Sequence, residues 1–211
     1  MLRLVRLAKR FSVSDAVFIE QLRSTKERIF MKDNNFIILI CGASGSGKSS
    51  VADKLHDLYG WKSIDSYTTR PRRSKNEGTH IFISEDEFNK INPASMVAYT
   101  EFSGYRYCAT TDQVEEAQMY VIDPFGIKTF FERYRGNKNV LIVYLSCSER
   151  TRFNRMLKRG DTVEAAIRRI DYDRNAFKNI YESEHRIHPI HVDEKTIDQV
   201  ADEIFNIYNN R

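Results

Sequence analysis

Glycine and proline are scarce in this chain, 9 and 4 of 211 residues, and there are three cysteines and one tryptophan. So little Gly and Pro excludes collagen-like and low-complexity chains, and a hydrophobic fraction of 41% excludes a chain too polar to bury a core. Cys41, Cys108 and Cys147 are odd in number, lack a C-x-x-C spacing and have no paired histidine cluster. A disulfide framework and a zinc site are therefore disfavoured, and a reducing, cytoplasmic compartment is expected. No apolar run approaches the roughly 20 residues that span a bilayer, so no membrane partner is expected for residues 31–211. The length suits one compact domain with room for a small inserted lobe.

An excess of positive charge is also missing from most of the chain. Lys+Arg exceed Asp+Glu by 33 to 29, but residues 1–30 hold seven basic and three acidic side chains, so the remainder balances at 26 of each. A balanced domain has no general attraction for nucleic acid, and none is expected as a partner. The first fourteen residues are Arg-rich and acid-free, with Leu4, Leu7 and Phe11 at helical spacing, a faint likeness to a mitochondrial presequence or a membrane-surface helix. The plainer reading is a dispensable basic leader over 1–30, with the functional chain starting at Met31.

From residue 36 strand-like and helix-like segments alternate, the pattern of an α/β fold with a parallel sheet between helices. Phe36–Ile40, Tyr120–Ile122, Val140–Leu145 and Ile187–Val192 read as buried strands. Helices are expected from the CGASGSGKSS segment to Leu58, with Gly60 as its stop, and over Gly126–Arg135, Ser148–Arg159, Thr162–Tyr181 and Glu194–Tyr208. Residues 66–110 read differently, with short strands at Ile81–Ile83, Val97–Phe102 and Tyr105–Thr110 around a helix at Ser84–Ile91. This is a candidate inserted lobe of mixed or antiparallel sheet.

Gly42-Ala43-Ser44-Gly45-Ser46-Gly47-Lys48-Ser49, followed by Ser50, satisfies the GxxxxGK[ST] phosphate-loop pattern between a buried strand and a helix. Its backbone N–H groups and the helix N-terminus attract phosphate, Lys48 reaches the terminal phosphates, and the Ser49 hydroxyl can ligate Mg²⁺. A nucleoside triphosphate with Mg²⁺ is the expected ligand, on a P-loop NTPase core.

Two arginine groups follow. Arg70, Arg72 and Arg73, in SYTTRPRR, suit a second phosphate, because guanidinium forks pair with phosphate oxygens in bidentate fashion. Arg152, Arg155 and Arg159 share a helical face, with Arg168 and Arg169 beyond the RGDT turn, and together suit the spread negative charge of phosphoryl transfer.

On these motifs the chain resembles the guanylate kinases over about residues 36–208. The likeness rests on the phosphate loop, the S-x-T-T-R-P-x-R segment, F-S-G-x-x-Y, the aspartate of I-D-x-x-G and the R-x-x-x-R-G lid. It implies transfer of the ATP γ-phosphate to a nucleoside monophosphate, GMP or dGMP by family default. It further implies a core over 36–65 and 111–211, an acceptor-binding lobe over 66–110 and a lid over about 152–170. Position by position, Ser66, Arg70, Arg73 and Tyr107 match acceptor-phosphate residues, and His80 stands where the family has a further tyrosine. Arg155, Arg159 and Arg169 match the lid arginines. Asp123 matches the second aspartate of a D-x-D strand end, where it would organise Mg²⁺ or base contacts.

The departures fall in the base-reading half. Ala98 stands in place of a glutamate that reads guanine, Ala109 in place of a hydroxyl residue, and Val121 in place of the first aspartate. Thr110 and Thr111 are neighbouring candidates to replace the hydroxyl, and Glu101 is expected on the face opposite Ala98 unless a bulge intervenes. Losing a carboxylate that receives two donors removes about 3–6 kcal/mol, taking about 1.5–3 for each bond to a charged group. A kinase of a different small phosphorylated acceptor is thus a live alternative. A non-catalytic guanylate-kinase-like binding module is disfavoured by the survival of Lys48, Ser49 and the lid arginines. Nothing in the sequence specifies an oligomeric state.

Overall fold

The computed structural model describes residues 35–72, 80–102, 104–182 and 184–210. The leader and Arg73 lie outside the described residues. Strand β1 (Phe36–Gly42) is buried at every position after Phe36. It runs inside an all-parallel sheet with β6 (Met119–Val121), β7 (Asn139–Ser146) and β8 (Ile187–His191), in the order β6-β1-β7-β8. A central parallel strand is covered on both faces, which is why β1 reads as a continuous apolar run rather than an alternating one.

Ile37, Leu39 and Cys41 pack on one side with Ile127 and Phe130 of α4 (Pro124–Arg133). Ile38 and Ile40 pack on the other with Val51 and Leu55 of α1 (Lys48–Tyr59) and with Val200 and Ile204 of α7 (Ile197–Asn209). Gly60 ends α1 in the left-handed region at φ 68°, its N–H donating to the His56 carbonyl.

Residues 66–110 build a second sheet of order β3-β2-β5-β4, from β2 (Ser66–Thr68), β3 (His80–Phe82), β4 (Met96–Phe102) and β5 (Tyr105–Thr110). It is mixed: β2 and β3 are parallel, the other pairs antiparallel. Helix α2 (Glu85–Asn89) is held by a Ser84–Glu87 capping box. Val97, Ala98 and Ala109 join the core of the parallel sheet, while Phe88, Met96 and Cys108 form a small cluster of their own. Thr129 of α4 fastens β4 by accepting from the Tyr99 N–H at 3.2 Å and donating to the Tyr99 carbonyl at 3.3 Å.

The sequence reading differs from the structure at several places. β2 and α3 (Thr111–Glu116) were not expected, being too short for their periodicity to register. The helix expected over Thr162–Tyr181 is α6, Val163–Ala176, followed by a 3₁₀ turn at Ile180–Glu182. It stops because Phe177 and Ile180 turn inward onto the core instead of continuing a polar face. The last helix starts at Ile197, not Glu194, because Thr196 and Gln199 cap each other. Helix α4 starts at Pro124, two residues before the expected Gly126, with Asp123 as its N-cap. No helix among the described residues is long and apolar enough to cross a membrane.

Phe130 is fully buried and packs against Phe131 and Tyr134 beneath β1. Phe130→Ala should cost about 3–5 kcal/mol, read as a lowered midpoint in urea denaturation with an unchanged slope.

Candidate functional site

The loop between β1 and α1 is tightly hemmed. Gly45 and Gly47 have φ of 79° and 99°, and Ser46 N–H turns back to donate to the Ala43 carbonyl at 3.1 Å. A Cβ on Gly45 would stand 2.7 Å from the Arg152 carbonyl oxygen, so the site tolerates only glycine. Lys48 opens α1 and folds back over the loop, its Nζ donating to the carbonyls of Gly42 at 2.6 Å and Ala43 at 3.2 Å. Burial pulls the Lys48 ammonium below the usual lysine range, and the nearby carboxylates of Asp173 and Asp123 oppose that pull. The thiol of Cys41, directly under the loop, is pushed up to about 12 by burial and stays protonated.

The loop forms one wall of a cleft of about 670 Å³, together with Ser49 and Ser50. Across it stand Arg155 and Arg159 from α5 (Glu149–Arg159) and Arg169 from α6. Arg155 reaches the loop itself, with Nη1 3.3 Å from the Ser46 carbonyl and Nη2 3.2 Å from that of Val192. Arg159 is paired with Asp161 through Nε at 3.2 Å and Nη2 at 2.5 Å, and Arg169 Nε lies 3.7 Å from the same carboxylate. Asp161 thereby holds two cations that would otherwise repel each other.

Arg152 does not join them, contrary to the expectation of a three-arginine face. It is 5% exposed, and its Nη1 is paired at 3.0 Å with Asp173 of α6. The face is real, but its first turn is packed against the loop instead of opening on the cleft. Lys158, Lys195 and the apolar residues Val192 and Ile197 also line the cleft and were not singled out from sequence. They carry no motif, although Val192 and Ile197 follow β8, whose parallel neighbours already place its carboxyl end there.

A second, smaller pocket of about 180 Å³ is lined by Ser66, His80, Ala98, Thr100, Phe102, Tyr107, Val121 and Asp123 among others. Ser66 Oγ and His80 Nδ1 are hydrogen-bonded at 2.9 Å, as their opposed positions on β2 and β3 dictate. Asp123 caps α4, accepting from Gly126 N–H at 2.7 Å and from the Thr100 hydroxyl. Burial raises its carboxyl above the usual range, with those donors working the other way. Arg70 is not in the pocket wall: its guanidinium lies 5.3 Å from the Phe82 ring centre and Nη1 donates to the Pro71 carbonyl at 2.8 Å.

The proposed substitutes for the base-reading hydroxyl are otherwise engaged. Thr110 N-caps α3, and the Thr111 hydroxyl donates to the Ser95 carbonyl at 3.4 Å. The β4 register shift falls between Met96 and Ala98, upstream of Glu101, so Glu101 keeps the face away from Ala98 and bonds to the Tyr99 hydroxyl. Thr100, two residues from Ala98 and on its face, is the polar side chain that sequence reasoning missed. Strand alternation counted from Ala98 would have found it.

A family model described as AAA domain matches residues 38–175. A guanylate kinase of Campylobacter jejuni is 28% identical over 170 residues, covering 74% of this chain and 81% of the relative. One from Streptomyces coelicolor is 33% identical over 75 residues, 34% of this chain and 38% of the relative. The crystal structure of guanylate kinase from Anaplasma phagocytophilum superposes with a TM-score of 0.55 at 22% identity, covering 83% of this chain and 86% of that one. With the glycine loop between a buried parallel strand and α1, this chain belongs to the AAA-domain family of P-loop proteins. The likeness to guanylate kinases supports a guanylate-kinase-like P-loop kinase, a phosphotransferase.

The start of α5, which carries the cleft arginines, is fixed by Asp193, which accepts from the Ser148 N–H at 3.0 Å and the Ser148 hydroxyl at 2.6 Å. These donors hold the Asp193 carboxyl down at about 2. A depressed folded-state pKa contributes stability that is complete above the unfolded value near 4 and is lost as pH falls through about 2. The stability difference between wild type and Asp193→Ala should therefore shrink from pH 4 to pH 2, checked by thermal melts across that range.

Proposed function

We propose that the protein transfers the γ-phosphate of ATP to a nucleoside monophosphate, with GMP or dGMP first on the family's precedent. The observation that carries this reading is the pairing of two pockets: a loop-and-arginine cleft suited to a triphosphate, and a smaller pocket holding Ser66, His80, Tyr107 and Asp123. ATP would lie in the cleft along Gly42–Ser50, and the acceptor in the pocket with its phosphate toward Ser66, His80 and Tyr107; Arg70 and Arg73 would be its further phosphate partners on the family resemblance. Residues 36–65 and 111–211 would then serve as the core, 66–110 as the acceptor lobe and about 152–170 as the lid. The free cysteines Cys41, Cys108 and Cys147 fit a reducing, cytoplasmic setting.

Phosphoryl transfer needs little covalent chemistry from the protein, so positioning and charge account for the rate. Lys48 would leave its two loop carbonyls for the terminal phosphates, an exchange of neutral acceptors for anionic ones. Arg155, Arg159 and Arg169 would meet the charge that spreads over the transferring group, and Asp161 would hold Arg159 and Arg169 ready until then. Mg²⁺ fits the donor set: Ser49 offers an exposed hydroxyl at the first turn of α1, and this ion takes one or two protein oxygens and completes its shell with phosphates and water. Bound there, it would neutralise phosphate charge. Asp123 stands on the acceptor side with three donors already on it, the Gly126 and Phe125 N–H groups and the Thr100 hydroxyl, in position for base or metal-shell contacts.

A different phosphorylated acceptor is the second reading, favoured by the apolar Ala98 and Val121 in the pocket wall where guanine-reading groups would be. Purified protein with ATP and Mg²⁺ should phosphorylate at least one of a panel of nucleoside monophosphates and sugar phosphates, followed by ADP release. Lys48→Ala should lower that turnover by on the order of 10²–10³, and full activity in this variant would overturn the kinase reading. Ala98→Glu, which returns a carboxylate to the pocket wall, should raise GMP turnover relative to the other acceptors by about tenfold or more.

A further inference from the structure

The phosphate loop is gripped from behind by a charge that belongs to the opposite end of the chain. Asp173, on α6 and 5% exposed, accepts from the Ser44 backbone N–H at 2.8 Å and lies 3.5 Å from the Ser44 hydroxyl. The same carboxylate oxygen takes Nη1 of Arg152 at 3.0 Å, and that nitrogen is 3.4 Å from the Ser44 carbonyl. Arg152 in turn presses its own carbonyl toward Gly45. Its Nε is buried with no hydrogen-bond partner among the described residues, so the pair is not arranged for its own best satisfaction.

A buried ion pair is weak evidence for stability, since apolar residues of similar volume often hold two helices as well. An apolar pair could not accept the Ser44 N–H. We propose that Asp173, with Arg152 as its counter-ion, is a positioning residue that fixes the phosphate loop in its nucleotide-ready shape and ties that shape to the placement of Arg169. Asp173 lies one helical turn beyond Arg169 on α6, a rise of about 6 Å, so one rigid helix carries both the cleft arginine and the loop's anchor. The loop's third residue and the cation facing it are thereby kept in register without touching each other. This inference rests on the reading of the loop as the ATP site.

The informative variant is the double substitution Arg152→Leu with Asp173→Leu, which removes both charges together and leaves no unpaired ion in the interior. Steady-state kinetics are measured with ATP and with whichever monophosphate of the panel turns over fastest. The KM for ATP should rise about tenfold or more while the KM for the acceptor stays within about twofold, because the disturbance falls on the loop and on the cleft arginine tied to it, away from the acceptor pocket. A role in stability alone would lower the melting temperature without splitting the two constants. A folded double variant with an unchanged KM for ATP would overturn the proposal, whereas a wild type that binds no ATP would overturn the reading beneath it. Should the variant not fold, amide exchange of the nucleotide-free wild type decides. The Ser44 N–H should be protected like those of the sheet, and exchange at the rate of exposed loop amides would sink the idea.

Discussion

Two missing Cβ atoms determine where everything else in this molecule stands. At Gly42 a Cβ would lie 2.9 Å from the Leu145 carbonyl, and at Gly45 one would lie 2.7 Å from that of Arg152. The chain leaving β1 can therefore pass between the end of β7 and the start of α5 at backbone distance. That passage brings Lys48 to the first turn of α1, lets α1 pack Val51 and Leu55 back onto one face of the sheet and lays α5 alongside the loop. Because α5 is then close, its arginines reach the cleft: Arg155 touches loop carbonyls directly, and Arg159 follows one turn on.

The arginines near this passage have different employments, and burial separates them. Arg152 is enclosed and spent on Asp173. Arg155 is half-buried and bridges loop and β8 end. Arg159 and Arg169 share one carboxylate at the surface, where an ion pair is worth about 0–1 kcal/mol and is easily exchanged for a stronger anion. The gradient from fixed to exchangeable charge runs outward along α5. It gives the cleft a rigid inner end and an adjustable outer one.

What could be read from the sequence tracks how local each feature is. β1, the phosphate loop and α1 are consecutive, and their signals lie within 25 residues, so strand burial, loop glycines and helix stop were all legible. The parallel sheet followed from the alternation of elements. β2 and α3 were not legible, because three and six residues carry no period and are held by pairing with β3 and β5 and by the Thr110–Gln113 cap. Arg152 was misjudged because its partner is 21 residues away on another helix, and helical spacing says which residues share a face but not what covers it. Thr100 is the opposite case: its place in the pocket follows from simple alternation with Ala98, but no motif marks it.

The two pockets are built from different materials, and this bears on how such a chain changes. The larger cleft is framed by backbone groups, two or three glycines and a lysine whose positions are dictated by the passage described above. Few substitutions are compatible with it, since a side chain at Gly42 or Gly45 would run into backbone. The smaller pocket is framed by side chains standing on β4, β5 and the end of β6, whose backbone is secured independently by Thr129 and by the sheet. Replacing a carboxylate by Ala98 or Val121 leaves that scaffold untouched and alters only what the pocket can bind. On the proposed reading, the phosphate donor is fixed by the fold while the acceptor is fixed by a handful of exchangeable side chains. Apolar Ala98 and Val121 in the smaller pocket, beside a complete phosphate loop, are what that division of labour permits.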